Sequence, residues 1–132
     1  MSHNKKVVGF LAGFAMFLLS GCYKDKTVLI TKTEVITTPI SFSIDIVPIF
    51  NKNCNMSGCH SSGSQVPDLT PGNAYRSLFQ EDMIDTGDPE RSEIMGWLTG
   101  KLKPSMPLGG TANPSNINAL MLAWITQGAK NN

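Results

Sequence analysis

Cys54-Asn-Met-Ser-Gly-Cys59-His60 concentrates more reactive chemistry than any other stretch of this chain. Two thiols lie close together, and an imidazole follows the second directly. In an oxidising compartment such a pair serves as a disulfide, a metal site or a point of covalent cofactor attachment. The third use is specific. Both thiols add across the two vinyl groups of haem, and the adjacent imidazole reaches the iron on one face. The usual spacing is Cys-x-x-Cys-His, whereas here it is Cys-x4-Cys-His. The extra length has to be absorbed by a bulge, and Asn55, Ser57 and Gly58 are residue types that allow one. On spacing alone, a Cys54–Cys59 disulfide beside an incidental histidine stays open. A structural zinc site is disfavoured, because Cys54, Cys59 and His60 supply three ligands and the mature chain offers no fourth thiol or imidazole.

The residue counts narrow the choice further. The 132 residues include 2 histidines, 3 cysteines and 7 methionines. His3 lies in an expected leader, so bis-histidine metal sites are out of reach, and a Ser-His-Asp triad has only His60 to build on. Haem iron bound by histidine takes a sixth ligand or keeps an open position, and methionine is the ligand that raises the potential. Met56 lies inside the attachment loop, on the wrong side of the ring. Met121 sits on an apolar helix face and reads as core. Met95 reads as core or cofactor contact, and Met83 lies in an acidic turn. Met106 stands in an irregular loop between Pro104 and Pro107, which stiffen the loop and reduce the entropy lost if its sulfur binds. A loop methionine also has ordinary surface and packing uses.

Residues 1–21 read as an export signal: Lys5 and Lys6, then the uncharged stretch Val7–Leu19, too short to span a bilayer comfortably. Leu19-Ser-Gly-Cys22 resembles the lipobox of bacterial lipoproteins, which implies a diacylglyceryl anchor on Cys22. Residues 22–40 then form the lipidated cysteine and a threonine-rich tether, extended or a lone strand. Fully extended, residues 23–40 reach about 60 Å. The chain has 11 basic and 10 acidic residues, and loss of Lys5 and Lys6 leaves it close to neutral. No basic stripe favours a nucleic-acid partner.

From residue 41 the pattern is helical, which predicts a small all-α domain over 41–132 with short helices and long loops. Ser43 or Asp45 is the expected cap of a helix through Phe50, with Pro48 in its first turn. Residues 51–71 read as a long loop. A helix follows over 71–80, with Ala74, Tyr75, Leu78 and Phe79 on one face, and 82–88 is a turn. Asp88-Pro89-Glu90 predicts a capped helix that stops near Gly100. Residues 101–112 are irregular. Asn113-Pro114 predicts the next cap, and Ile117, Leu120, Met121, Trp124 and Ile125 take the steps of an amphipathic helix ending before Gly128. So small a domain buries little area and often needs a staple or a cofactor.

Together these residues resemble the class I cytochrome c fold, in a form found in bacterial exported and lipid-anchored proteins. The resemblance covers roughly residues 41–130. It rests on Ile46–Cys54 leading into the attachment motif, Gly87–Ser92, Met106-Pro-Leu-Gly-Gly110 and Ala123–Ala129. It implies a bundle of short helices around one covalent haem c. Cys54 and Cys59 would form the thioethers, with His60 the proximal and Met106 the distal iron ligand. With both axial positions filled, the expected role is an electron carrier rather than an enzyme, serving redox partner proteins at a bacterial cell envelope. Phe50, Leu78, Trp97 and Trp124 are candidates to bury the ring, and both tryptophans are equally core candidates. Lys101 and Lys103 beside the distal loop, set against the acidic stretch Glu81–Glu93, are candidates for steering a partner. A sensor or peroxidase with an open sixth position is one alternative. A haem-free, lipid-anchored interaction domain with a Cys54–Cys59 disulfide is the other.

Overall fold

Ser41 starts the first element. Its Oγ accepts a hydrogen bond from Ile44 N at 3.3 Å, while Asp45 Oδ2 accepts one from Ser41 N at 2.8 Å. This is the reciprocal logic of a capping box, one residue longer than usual. The cap is therefore Ser41, not the expected Ser43 or Asp45, and Asp45 serves it from inside. A π-helical turn, Phe42–Ile46, runs directly into α1, Val47–Asn53, whose first turn contains Pro48.

The computed structural model describes residues 35–108 and 115–132. After α1 the chain loops to α2, Ala74–Gln80, then makes a 3-10 turn, Pro89–Arg91, followed by α3, Glu93–Leu98. The last helix, α4, is Ser115–Thr126. Every regular element among the described residues is helical. Asp88 was expected to cap one continuous helix, but it makes no side-chain cap bond. Ser92 is the reason for the break. Its backbone is extended (φ −46°, ψ 134°), and its buried Oγ accepts from Asp85 N at 2.9 Å and donates to Asp85 O. The acidic turn is thereby fastened to the start of α3. Gly100 and Gly128 follow α3 and α4 with φ of +74° and +92°, at the expected stops.

The core forms where the π-helical turn and α1 to α4 bring their apolar side chains together. Phe42 lies 5.0 Å from Trp124 and 5.3 Å from Tyr75, centroid to centroid, and Phe50 packs edge-on at 6.3 Å. Such tilted and edge contacts suit aromatic quadrupoles. The polar tips also find partners: Trp124 Nε1 donates to Lys130 O at 2.9 Å, and Tyr75 OH to Ala129 O at 3.0 Å. Ile46, Leu78, Met121 and Ile125 are fully buried, and Met95 is also core. Trp97 differs from Trp124. It is half-buried, and its Nε1 donates to Glu93 Oε1 at 3.0 Å.

The first and last described segments clasp each other. Ile40 N donates to Gln127 Oε1 at 2.8 Å, and Gln127 Nε2 donates to Thr38 O at 2.9 Å. Phe42 N and Ser43 N bond to the side-chain and backbone oxygens of Asn132. The leader, Cys22, most of the tether, Gly109-Gly110 and the expected Asn113-Pro114 cap lie outside the described residues. Among the described residues, no helix is long and apolar enough to cross a membrane.

Trp124→Ala should lower unfolding free energy by about 3–5 kcal/mol, the range for emptying a large aromatic site. Denaturant titration measures it, and a loss below about 1 kcal/mol would contradict this placement of the core.

Candidate functional site

The last turn of α1 delivers the first thiol. Cys54 N and Asn55 N both bond to Phe50 O at 2.9 Å, so the helix closes on a shared carbonyl and Cys54 sits at its end. The next residues fold into a turn, with Cys59 N donating to Met56 O at 2.9 Å. Gly58 adopts φ +80°, a conformation that strains residues with a Cβ. His60 N then donates back to Cys54 O at 3.2 Å, closing the whole loop at its base. The extra length of Cys-x4-Cys is thus taken up in a tight turn. Cys54, Cys59 and His60 still belong to one local unit.

His60 is held by the segment that follows this loop. Leu69 N donates to His60 O at 2.8 Å, and His60 Nδ1 lies 2.9 Å from Pro67 O. A carbonyl only accepts, so Nδ1 carries a hydrogen, and in the neutral ring the lone pair is then on Nε2. This is the tautomer that a metal-binding imidazole needs, with the other ring nitrogen donating to a backbone carbonyl. Asn55 Nδ2 donates to Leu69 O, and the Asp68 carboxylate accepts from Thr70 Oγ1, Thr70 N and Asn73 Nδ2. The bonds from Thr70 hold the Asp68 carboxyl below the ordinary carboxylate range.

The two thiols are free and differ in setting: Cys59 is exposed, while Cys54 is partly buried against the core. Burial, and then the neighbouring Cys59, push the Cys54 thiol up from 9.0 to about 11. Among the described residues, no three His, Cys, Asp or Glu side chains gather where they could hold a metal ion.

Met106 belongs to a separate loop that is fastened to α3. Its N–H donates to Trp97 O at 3.1 Å, and Leu102 N donates to Gly96 O at 2.9 Å. Leu102 also lies over Gly96. A Cβ at Gly96 would stand 2.8 Å from Leu102 Cδ1, so the missing side chain makes room for Leu102 in this position. Met106 is half-buried there, between Pro104 and Pro107.

The seven exposed large hydrophobic side chains of the described residues are unevenly placed. Met56 and Val66 belong to the stretch around His60, and Leu102 and Leu108 to the loop around Met106. Of the other candidates, Phe50, Leu78 and Trp124 are buried in the protein's own core. Sequence reasoning missed the Pro67 carbonyl altogether. A backbone oxygen has no signature in residue type, and only the Asp68-x-Thr70 pair marked that stretch as a structured turn. Comparison of the chain with protein-family models, curated proteins and solved structures finds no match in any of the three.

In reduced protein with both thiols free, alkylation should modify Cys59 roughly tenfold faster than Cys54, since exposure and thiolate fraction set the rate. Above pH 9.0 the unfolded chain releases the Cys54 proton while the folded chain keeps it until about 11, so stability should fall across that window. Mass spectrometry of the labelled peptides checks the order. Equal rates at pH 8 would contradict the burial of Cys54.

Proposed function

We propose that this chain is a lipid-anchored c-type cytochrome of a bacterial cell envelope, carrying single electrons between redox proteins. The observation that carries the reading is the His60 tautomer. Its Nδ1 hydrogen is engaged by Pro67 O, leaving Nε2 to bind, and the loop that His60 closes also carries the free thiols of Cys54 and Cys59. The donor set fits haem. Cys54 and Cys59 would hold it by thioethers, each S–H adding across a vinyl double bond, sulfur to one carbon and hydrogen to the other. His60 and Met106 would ligate its iron. When bound, haem supplies a one-electron iron couple whose potential a methionine ligand raises.

A further observation supports the fit. Apolar side chains exposed on both ligand-bearing loops, Met56, Val66, Leu102 and Leu108, are of the kind an apolar ring would cover. The helical fold, with short helices and long loops, is compatible with a cytochrome c-like bundle. The chain's own residues have separable tasks. Pro67 orients the imidazole, Gly96 and Trp97 seat the loop of Met106, and the Phe42–Tyr75–Trp124 core keeps the domain folded. The anchor is proposed from Leu19-Ser-Gly-Cys22, with residues 23–40 as the tether.

Protein made with a haem-maturation system should retain a haem stain after denaturing electrophoresis and show a six-coordinate, low-spin spectrum with a methionine–iron band. Met106→Ala should abolish that band, lower the potential and give a high-spin form. A stained protein whose spectrum ignores Met106→Ala would mean that another residue is the distal ligand. An unstained, colourless protein would overturn the reading.

A further inference from the structure

Ser77 is buried on α2, a helix whose inward face is otherwise apolar. A buried hydroxyl is costly there unless it is bonded. Its Oγ accepts a hydrogen bond from Asp68 N at 2.8 Å. The other end of the same peptide unit is Pro67 C=O, which accepts from His60 Nδ1 at 2.9 Å. The Pro67–Asp68 peptide is planar and turns as one piece. Whatever fixes its N–H therefore fixes the direction of its C=O.

From this geometry we infer that Ser77 is the positioning residue for His60, acting through the Pro67–Asp68 peptide. The inference rests on the haem reading for its functional consequence, though not for its geometry. Two effects reach the imidazole. The peptide plane is held from both sides, so the ring has one favoured rotation about its Cβ–Cγ bond. Hydrogen bonds in a chain also polarise one another, so a bond to Asp68 N strengthens the acceptor at Pro67 O. A stronger acceptor draws the Nδ1 hydrogen away and makes Nε2 a better donor to iron, which favours the ferric state. Asp68 and Thr70 secure the adjoining turn, Asp68 Oδ1 accepting from both Thr70 N and Thr70 Oγ1, and Leu69 N pairs with His60 O. Of the groups described, only Ser77 reaches this peptide's N–H from a helix.

The test compares Ser77→Thr with Ser77→Val in haem-loaded protein, because the two side chains have one shape and differ in a hydroxyl against a methyl group. Leu78→Ala serves as the control for general loss of stability. The first readout is exchange of the His60 Nδ1 proton with solvent, followed by NMR in the ferrous state. The second is the midpoint potential. Ser77→Val should speed exchange roughly tenfold and raise the potential, while Ser77→Thr should stay near wild type and Leu78→Ala should leave the Nδ1 signal in place. Equal behaviour of the Thr and Val variants would overturn the inference and leave the haem reading intact. Should the protein take up no haem, that reading fails. The Ser77 claim is then decided on haem-free protein, where Ser77→Val should mix the His60 tautomers, and an unchanged tautomer would overturn it. Ser77→Ala, the smallest change, repeats the comparison if the Val variant does not fold, and the same outcomes apply.

Discussion

The hydrogen bond from His60 Nδ1 to Pro67 O is the contact on which the site depends. An imidazole free to rotate offers either nitrogen in either tautomer, and a metal selects among them at a cost. Here the choice is made by the fold. One loop carries both thiols and the imidazole on a single closed turn, and the segment that follows holds the imidazole from outside. Local structure thus does what a larger protein does with a buried shell of side chains. This matters in a domain whose helices are, apart from α4, seven residues or shorter.

The division of labour between core and site follows from size. Phe42, Tyr75 and Trp124 pack with one another in the core, Cys54 borders it, and exposed Cys59 and half-buried Met106 lie outside that cluster. The loops are secured mainly by backbone hydrogen bonds and turns. The Cys54–His60 loop closes on α1, and the Met106 loop hangs from the last carbonyls of α3. These loops expose Met56, Val66, Leu102 and Leu108 to solvent.

Much of this arrangement was legible in the residues themselves. Ile117, Leu120, Met121, Trp124 and Ile125 mark the register of α4 because apolar steps of three and four leave few other solutions, and Met121 and Trp124 are core as that register requires. Gly100 and Gly128 mark helix ends for the same local reason. The caps were less readable. Ser41, Ser43, Asp45 and Asp88 all have the side chain for the role, and tertiary contacts decide among them: Asn132 and Gln127 pull the start of the domain onto the end of α4, which leaves Ser41 as the cap. Ser92 divides an expected helix because its hydroxyl bonds to Asp85, a contact between segments that no local rule anticipates. In the site, thiols and imidazole are visible as letters, while the parts that aim them, a proline carbonyl and the peptide behind it, are not.

The central claim is covalent bonding of haem at Cys54 and Cys59. Its most direct test is tandem mass spectrometry of the proteolytic peptide spanning residues 54–60, taken from protein made in a host that matures cytochromes. The account predicts one haem added to that peptide, with fragments placing sulfur-linked porphyrin on both cysteines. A peptide of unmodified mass, or one lighter by two hydrogens with Cys54 joined to Cys59, would contradict it.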